Sequence, residues 1–186
     1  MDEFFYKSQL SLQAKFALYS IYEIRENAND YLLSHDKEHK IMYKEKCFYY
    51  IQNLLCAQGN ISNVLFNNVT KKRCQRICDF LHINENDYEL LSDKNIRNSS
   101  EHFDDRLDKL NQIVDETGGA YVDCHIGSRD DVPMLKDVDT FLRRYSPAES
   151  TIYFLDRNSK NELAVNIDLL ESELKCLAVH LALAPI

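Results

Sequence analysis

The stretch Asn95-Ile96-Arg97-Asn98-Ser99-Ser100-Glu101-His102-Phe103-Asp104-Asp105-Arg106-Leu107 lies in the middle of the chain, inside a long helical pattern. Its apolar residues form one stripe at the helical spacing of about 100° per residue, and they are Ile96, Phe103, Leu107, Leu110 and Val114. The pattern predicts a helix from near Tyr88 or Ile96 to about Glu116. Thr117-Gly118-Gly119 is expected to end it, because glycine commonly follows the last turn of a helix.

The polar side chains of this stretch are unusual for a helix that merely faces solvent. Such a helix more often carries Lys and Glu, whereas these turns carry Arg97, Asn98, His102 and Arg106 among their polar residues. Arginine binds phosphate through its planar group, and histidine exchanges protons near neutral pH. The stretch is therefore the candidate functional site.

The segment Arg97-Asn98-Ser99-Ser100-Glu101-His102 resembles the Arg-(four to six residues)-His motif of the HEPN superfamily, and the polar residue after its Arg fits as well. The resemblance implies a helical bundle and, in active members, a metal-independent ribonuclease. In a toxin–antitoxin branch of the family, a Tyr two residues after the motif His receives AMP from a partner enzyme. Asp104 occupies that position here, so this regulation is not expected.

Arg97 and His102 suit RNA cleavage without a metal. That reaction needs a base for the 2′-OH proton and a cation for the charge that grows on the phosphate. His102 is the candidate base and Arg97 the candidate cation, which can bind phosphate bidentately. Asn98 lies one turn before His102 and is placed to orient the His102 ring. Glu101 lies one turn after Arg97 and is placed to pair with Arg97. The alternative is an ordinary set of surface side chains on a charged helix.

The spacing of the motif predicts a homodimer. Five residues separate Arg97 from His102, which places them about 140° apart around a helix and about 7.5 Å apart along it. Both side chains cannot reach one atom from a single rigid helix. In the family two protomers pack so that both motifs line one cleft, which predicts a dimer through the motif helix. Ser99 and Ser100 would allow close approach of the partner helix, or they simply face solvent.

Charge limits where RNA could bind. The 186 residues carry a formal net charge of −8, which argues against coating of nucleic acid by the whole surface. An RNA site therefore has to be a local basic patch. The densest patch consists of Lys71, Lys72, Arg73 and Arg76, and it is a candidate contact for an RNA backbone. A solvated helix face is the alternative.

Other features predict a cytoplasmic protein without a metal or cofactor. The six cysteines form no Cys-x-x-Cys pair, which indicates reduced thiols. The sequence shows neither a basic-then-apolar leader nor a long apolar segment, so no membrane partner is expected. His35 and His39 have the spacing of a metal pair, with Asp36 and Glu38 between them, but no Cys or third His lies nearby in the sequence. A glycine-rich phosphate loop is also missing from the sequence.

The predicted fold is mainly α, a single HEPN-like domain over residues 1–186. A helical bundle spans residues 8–116 and 168–184, and a small β-hairpin insertion within residues 120–167 precedes the C-terminal helix. The other predicted helices are Ser8 to Ser34, Glu38 to Asn67, Lys71 to Leu81 and Asp168 to Ala184. The insertion is predicted as a strand Ala120 to Ile126, a short helix near Val138 to Arg143, and a hairpin of Thr151 to Leu155 with Glu162 to Ile167.

The sequence thus predicts a HEPN-type endoribonuclease that cleaves RNA by 2′-OH attack, as a toxin or phage-defence effector. Its expected partners are RNA, a second copy of the chain, and an antitoxin or regulatory protein. The alternative is a non-catalytic HEPN-like module that binds RNA or a protein.

Overall fold

A computed structural model describes residues 3–101, 103–118, 121–131, 141–156 and 161–183. Its helices are α1 Glu3–Leu33, α2 Lys37–Leu65, α3 Lys71–Leu81, α4 Glu89–Ser92, α5 Lys94–Glu101, α6 Phe103–Thr117 and α7 Ile167–Leu183. Its strands are β1 His125–Ile126, β2 Arg143–Ser146, β3 Thr151–Leu155 and β4 Glu162–Asn166. The protein is mainly helical with a small sheet near the C-terminus, as the sequence predicted.

The antiparallel pair of long helices α1 and α2 is the centre of the bundle. The buried face of α1 includes Leu10, Ala14, Ala17, Ile21 and Ile24, which recur every three or four residues as an inward stripe requires. The small alanines allow the two helix backbones to approach closely. The α1–α2 hairpin therefore provides the long apolar surface on which the other elements pack.

The connection from α1 to α2 is fixed by a helix cap. The Asp36 carboxylate accepts a hydrogen bond from the backbone N–H of His39 at 2.8 Å, which satisfies one of the unpaired donors at the start of α2.

The first helix begins at Glu3, five residues before the predicted start at Ser8. The residues from Phe4 to Lys7 continue the helical turn, so Ser8 lies inside the helix.

Helix α7 packs against α1 through a leucine stripe that the sequence predicted. The stripe consists of Leu170, Leu174, Leu177 and Leu181, and all four are buried. Helix α3 has the predicted bounds, and α2 and α7 each begin one residue before their predicted starts. None of the described helices is both long and apolar enough to cross a membrane.

The sheet has four strands in the order β1-β2-β3-β4, so the predicted hairpin is only part of it. Strand β1 runs parallel to β2, and the other neighbours are antiparallel. The side chains of Tyr145, Ile152, Phe154 and Val165 are buried in the same core as the helices. The sheet is therefore packed on the bundle as a part of one domain core.

Two predictions within the insertion were wrong. Strand β2 begins at Arg143, where the sequence predicted the end of a short helix; residues 138–140 of that predicted helix lie outside the described residues. The predicted strand 120–126 is reduced to His125–Ile126 and a single bridge at Val122. Cys124 interrupts it, because its φ of 56° is incompatible with an extended strand.

Candidate functional site

Residues 97–101 of the motif lie on α5, within the stretch that the sequence predicted to be helical. The Asp93 carboxylate accepts a hydrogen bond from the backbone N–H of Asn95 at 2.7 Å, at the start of α5. Asp93 therefore acts as the side chain that caps this helix. Ile96, the first residue of the predicted stripe, is buried in the main core. The backbone of the motif is thus attached to the bundle on its apolar side.

The catalytic candidates themselves fall largely outside the described structure. His102 is outside the described residues, and so are the side chains of Arg97, Glu101, Ser99 and Ser100. Asn98 lies on α5 and is half-buried. The structure accordingly gives the backbone position of Arg97 on α5, and the pairings expected among Arg97, Glu101, Asn98 and His102 stay predictions.

A buried carboxylate anchors the segment that leads into the motif. Glu173 of α7 is only 6% exposed, and its two oxygens accept hydrogen bonds from the backbone N–H groups of Leu90 and Leu91 at 2.9 and 2.8 Å. Burial raises the pKa of Glu173, and these backbone donors partly oppose that shift. The carboxylate satisfies two backbone N–H groups at the start of α4, which a helix alone would leave unpaired. It thereby attaches α4 to α7.

Two further polar contacts hold the same segment. The Gln58 side-chain amide of α2 donates to the backbone carbonyl of Leu90 at 2.9 Å. The Tyr88 hydroxyl, on a fully buried ring, donates to the Cys176 sulfur of α7 at 3.6 Å. The chain therefore enters the motif helix from a segment that is bonded to two other helices, which restricts where α5 can begin.

A group of three charged residues, which we call the charged junction, connects α6 to the sheet: Arg106, Asp123 and Arg143. Arg106 is 3% exposed, and its guanidinium carbon lies 5.6 Å from the centre of the Phe154 ring. Burial and the nearby charge of Arg143 lower the pKa of Arg106 to about 10. In the sequence, Arg106 follows His102 by four residues, so the charged junction is close to the motif along the chain.

Asp123 and Arg143 form the paired part of the charged junction. Arg143 donates from Nε to one oxygen of Asp123 at 2.9 Å and from Nη2 to the other at 2.6 Å. Burial alone would raise the pKa of Asp123, but the hydrogen bonds and charge of Arg143 outweigh it and lower this pKa. The bidentate geometry is the strongest form of this ion pair, and it ties the chain before β1 to β2.

A second polar cluster lies on the other face of the sheet. Arg144 is 6% exposed, and its guanidinium carbon lies 3.8 Å from the centre of the Tyr153 ring. Its Nη atoms lie 3.3 Å from Glu162 and 3.9 Å from Glu149, and the Tyr153 hydroxyl donates to Glu149 at 3.0 Å. The cluster holds three adjacent strands together, and its single cation lies between two carboxylates, which suits a structural role.

The four cations of the predicted basic patch all lie on α3. Arg73 donates to the backbone carbonyl of Asn63 at 3.0 Å and to the Thr70 hydroxyl at 2.8 Å. Arg76 pairs with Glu3 of α1 at 3.1 Å and is still 53% exposed. Lys71 and Lys72 are exposed at the start of α3. Arg73 is therefore engaged between helix ends, whereas Lys71, Lys72 and Arg76 are on the surface.

Sequence reasoning missed the residues that fix the site from a distance. Glu173, Asp123 and Arg143 were not predicted as site residues, because their partners lie between 20 and 83 positions away in the sequence. The sequence did contain a signal for Arg143 and Arg144. Two adjacent arginines in a region of apolar strands are partly or fully buried, and a buried charge requires a partner.

All six cysteines are free thiols in the structure. Within the described ranges no group of three His, Cys, Asp or Glu side chains could hold a metal ion. His35 and His39, which have the spacing of a metal pair, lie on either side of Asp36, and Asp36 caps the start of α2.

No protein-family model, curated protein or solved structure matches the chain. The resemblance to the HEPN superfamily therefore depends on the motif and on the mainly helical bundle.

Proposed function

We propose that the protein is a metal-independent endoribonuclease of the HEPN type, with Arg97 and His102 as its catalytic residues. The observation that carries the proposal is the Arg97–His102 motif on the α5–α6 segment of a mainly helical bundle. A histidine and an arginine supply both functions that the reaction needs without a metal.

In the proposed reaction His102 takes the proton of a ribose 2′-OH, and O2′ attacks the adjacent phosphorus. Arg97 donates hydrogen bonds to the phosphate oxygens and stabilises the negative charge that develops there. The bond from phosphorus to O5′ breaks, and O5′ takes up a proton. The products are a 2′,3′-cyclic phosphate and a 5′-OH. Asn98 and Glu101 support the pair by orienting His102 and Arg97.

The described structure supports this proposal by fixing the backbone that carries the motif. Catalytic groups need supporting contacts that hold them near the productive geometry. Asp93 caps α5, Glu173 and Gln58 hold the segment before it, and Arg106 connects α6 to the sheet. The positions before and after the motif are therefore both held by buried polar contacts.

We place the enzyme among toxin or phage-defence effectors, working on RNA in the cytoplasm and held inactive by an antitoxin or regulatory protein. This part of the proposal follows from the resemblance. Lys71, Lys72 and Arg76 are the candidate contacts for the RNA backbone outside the catalytic pair, because they are exposed, whereas Arg73 is half-buried and bonds to Asn63 and Thr70.

The competing function is a non-catalytic module that binds RNA or a protein. Two of the four cations of the basic patch already have partners within the chain, Arg73 with Thr70 and Arg76 with Glu3, which favours a protein as the partner. Such a module would show no cleavage at any protein concentration, and replacement of His102 would leave its binding unchanged.

The test is cleavage of total RNA by purified protein in EDTA, with substitutions of the catalytic pair. His102→Ala and Arg97→Ala should each lower the rate by about a hundredfold or more, and Arg97→Lys should also be poor because an ammonium group cannot bind bidentately. The matched controls are His39→Ala and Arg129→Ala at exposed positions, which should retain the wild-type rate. Loss of cleavage in EDTA, or full activity of His102→Ala, would contradict the proposal.

A further inference from the structure

The open side of the α1–α2 hairpin carries three exposed aromatic rings, Phe16, Tyr19 and Tyr49, and the half-buried ring of Tyr50; we call these four rings the tyrosine face. Phe16, Tyr19 and Tyr49 are 51%, 56% and 62% exposed. Tyr50 packs edge to face with Tyr19 at 5.9 Å and with Tyr49 at 5.2 Å between ring centres. The rings form a connected array across two helices, so this is a contiguous patch.

The tyrosine face borders a groove without charged residues. The groove between α1 and α2, both fully described, is lined by the four rings and by Gln13, Ser20, Asn53, Cys56, Ala57 and Asn60. Hydrogen bonds to Glu23 and Tyr50 raise the pKa of Tyr19 to about 12, so its phenol stays neutral, and Glu23 marks the edge of the face. Depletion of charge and enrichment of aromatic residues distinguish the centre of an interface from ordinary surface.

The charge-free region is larger than the groove. The 24 residues from Cys47 to Thr70 contain no Asp, Glu, Lys or Arg, and the adjacent segment from Ser8 to Tyr22 contains only Lys15. Charged residues make up 28% of the whole chain. Because α1 and α2 are antiparallel, these two segments lie side by side in the same half of the hairpin.

We propose that the tyrosine face binds the tyrosine face of a second copy of this chain, as a two-fold symmetric dimer. Two copies with a net charge of −8 repel each other, so close contact is favourable only where the surface is uncharged. In a two-fold contact both copies use the same patch, so that residue i of one copy meets residue j of the other and j meets i. Phenols and amides both donate and accept hydrogen bonds, so Tyr49, Asn53 and Asn60 can pair with one another across the contact.

The size of the hairpin is sufficient for a stable dimer. The 29 residues of α2 extend about 43 Å, and two adjacent helices are about 20 Å wide. One face of the hairpin is therefore roughly 850 Å², compared with about 800 Å² per partner in a typical specific interface. The charge-free half would form the interface centre, and the charged half would form its rim.

The argument for this interface does not use the proposed ribonuclease activity, and the interface is an alternative to the dimer through the motif helix that the motif spacing predicts. A dimer through the motif helix would bring the two α5 helices together. A dimer through the tyrosine face would bring the Cys56 thiols of the two copies into one interface, because this exposed thiol lines the groove.

The first test is the mass of the protein in solution by light scattering over a range of concentrations. The wild type should have twice the chain mass of 21.8 kDa, and Phe16→Asp and Tyr49→Asp should each raise the dissociation constant at least about 30-fold. Val179→Asp is the matched control, since Val179 is 57% exposed on α7, away from the face. If the wild type is still monomeric at about 100 μM, the two copies bind too weakly for a specific interface, and the proposal is overturned.

The second test uses the native cysteines and does not depend on destabilising the interface. A short bis-maleimide should join two wild-type chains through Cys56, and Cys56→Ser should abolish the product. Cys176 is the other exposed thiol, and Cys176→Ser should leave the product unchanged. A dimer that persists in Tyr49→Asp, or that cannot be joined through Cys56, would overturn the proposal and indicate a different interface.

Discussion

The tyrosine face and the charged junction both depart from the usual distribution of side chains: the first exposes aromatic rings, and the second buries charges. The tyrosine face exposes Phe16, Tyr19 and Tyr49 to solvent, whereas the charged junction buries Arg106 and pairs Asp123 with Arg143. Large exposed aromatics and buried charges are both uncommon in proteins. Departures from local folding rules usually occur at functional or strained sites. Here one departure is the exposure of aromatic rings, and the other is the burial of charges.

The comparison also separates two kinds of sensitivity to substitution. A buried charge is tolerated only while its partners are in place, so the charged junction should be intolerant of single changes. An exposed aromatic residue makes few contacts within its own chain. Substitutions on the tyrosine face should therefore leave the stability of the monomer almost unchanged and weaken only the proposed dimer.

Removal of Asp123 should have the larger effect on stability. Asp123→Ala should lower the free energy of unfolding by about 3 kcal/mol, because Arg143 would lose its bidentate partner beside Arg106. Chemical denaturation measures this change. The double variant Asp123→Leu with Arg143→Met removes both charges and should be less destabilised than Asp123→Ala alone. If the double variant loses more than the single variant, the ion pair is not the cause.

Acid should remove the same contribution selectively. The pKa of Asp123 is lowered in the folded state, so its ion pair stabilises the protein above the unfolded-state pKa of about 3.9 and the contribution is lost as the pH falls through the folded-state value. The difference in unfolding free energy between wild type and Asp123→Asn should be constant above about pH 5 and decrease below about pH 4. A difference that is unchanged down to pH 2 would contradict this assignment.

A charge on the tyrosine face should have the smallest effect on the monomer. Tyr49→Asp should change the free energy of unfolding by only about 0.5 kcal/mol, measured at a concentration where the wild type is also monomeric. Tyr49 is 62% exposed and contacts Tyr50 at its edge. A loss as large as that of Asp123→Ala would show that this ring is structural, and the contrast between the two regions would not hold.

The helices could be predicted from the sequence because their stripes are local. The leucines of α7 repeat every three or four residues, and α3 begins and ends at the predicted residues. The same holds for β3, whose apolar run Thr151–Leu155 was predicted with its observed bounds. These elements depend on side chains that are close together in the chain.

Strand β2 and the charged junction could not be predicted because they depend on distant partners. The sequence Arg143-Arg144-Tyr145-Ser146 has no apolar alternation, and it forms a strand because Asp123 and Tyr153 provide partners for its two arginines. The motif was found because its chemistry is contained within six residues, whereas its supports Glu173 and Gln58 come from other helices. The motif could therefore be identified as a candidate from the sequence, whereas the contacts that hold the segment before it could not.

The ribose 2′-OH at the cleaved bond tests the proposed mechanism most directly. The protein is incubated in EDTA with an RNA of mapped cleavage position and with the same RNA carrying one 2′-deoxyribose on the 5′ side of that bond. The account predicts that the RNA is cut there to a 2′,3′-cyclic phosphate and a 5′-OH, and that the substituted strand stays intact at that bond. Cleavage next to the deoxyribose, or products that carry a 5′-phosphate, would contradict 2′-OH attack assisted by His102 and Arg97.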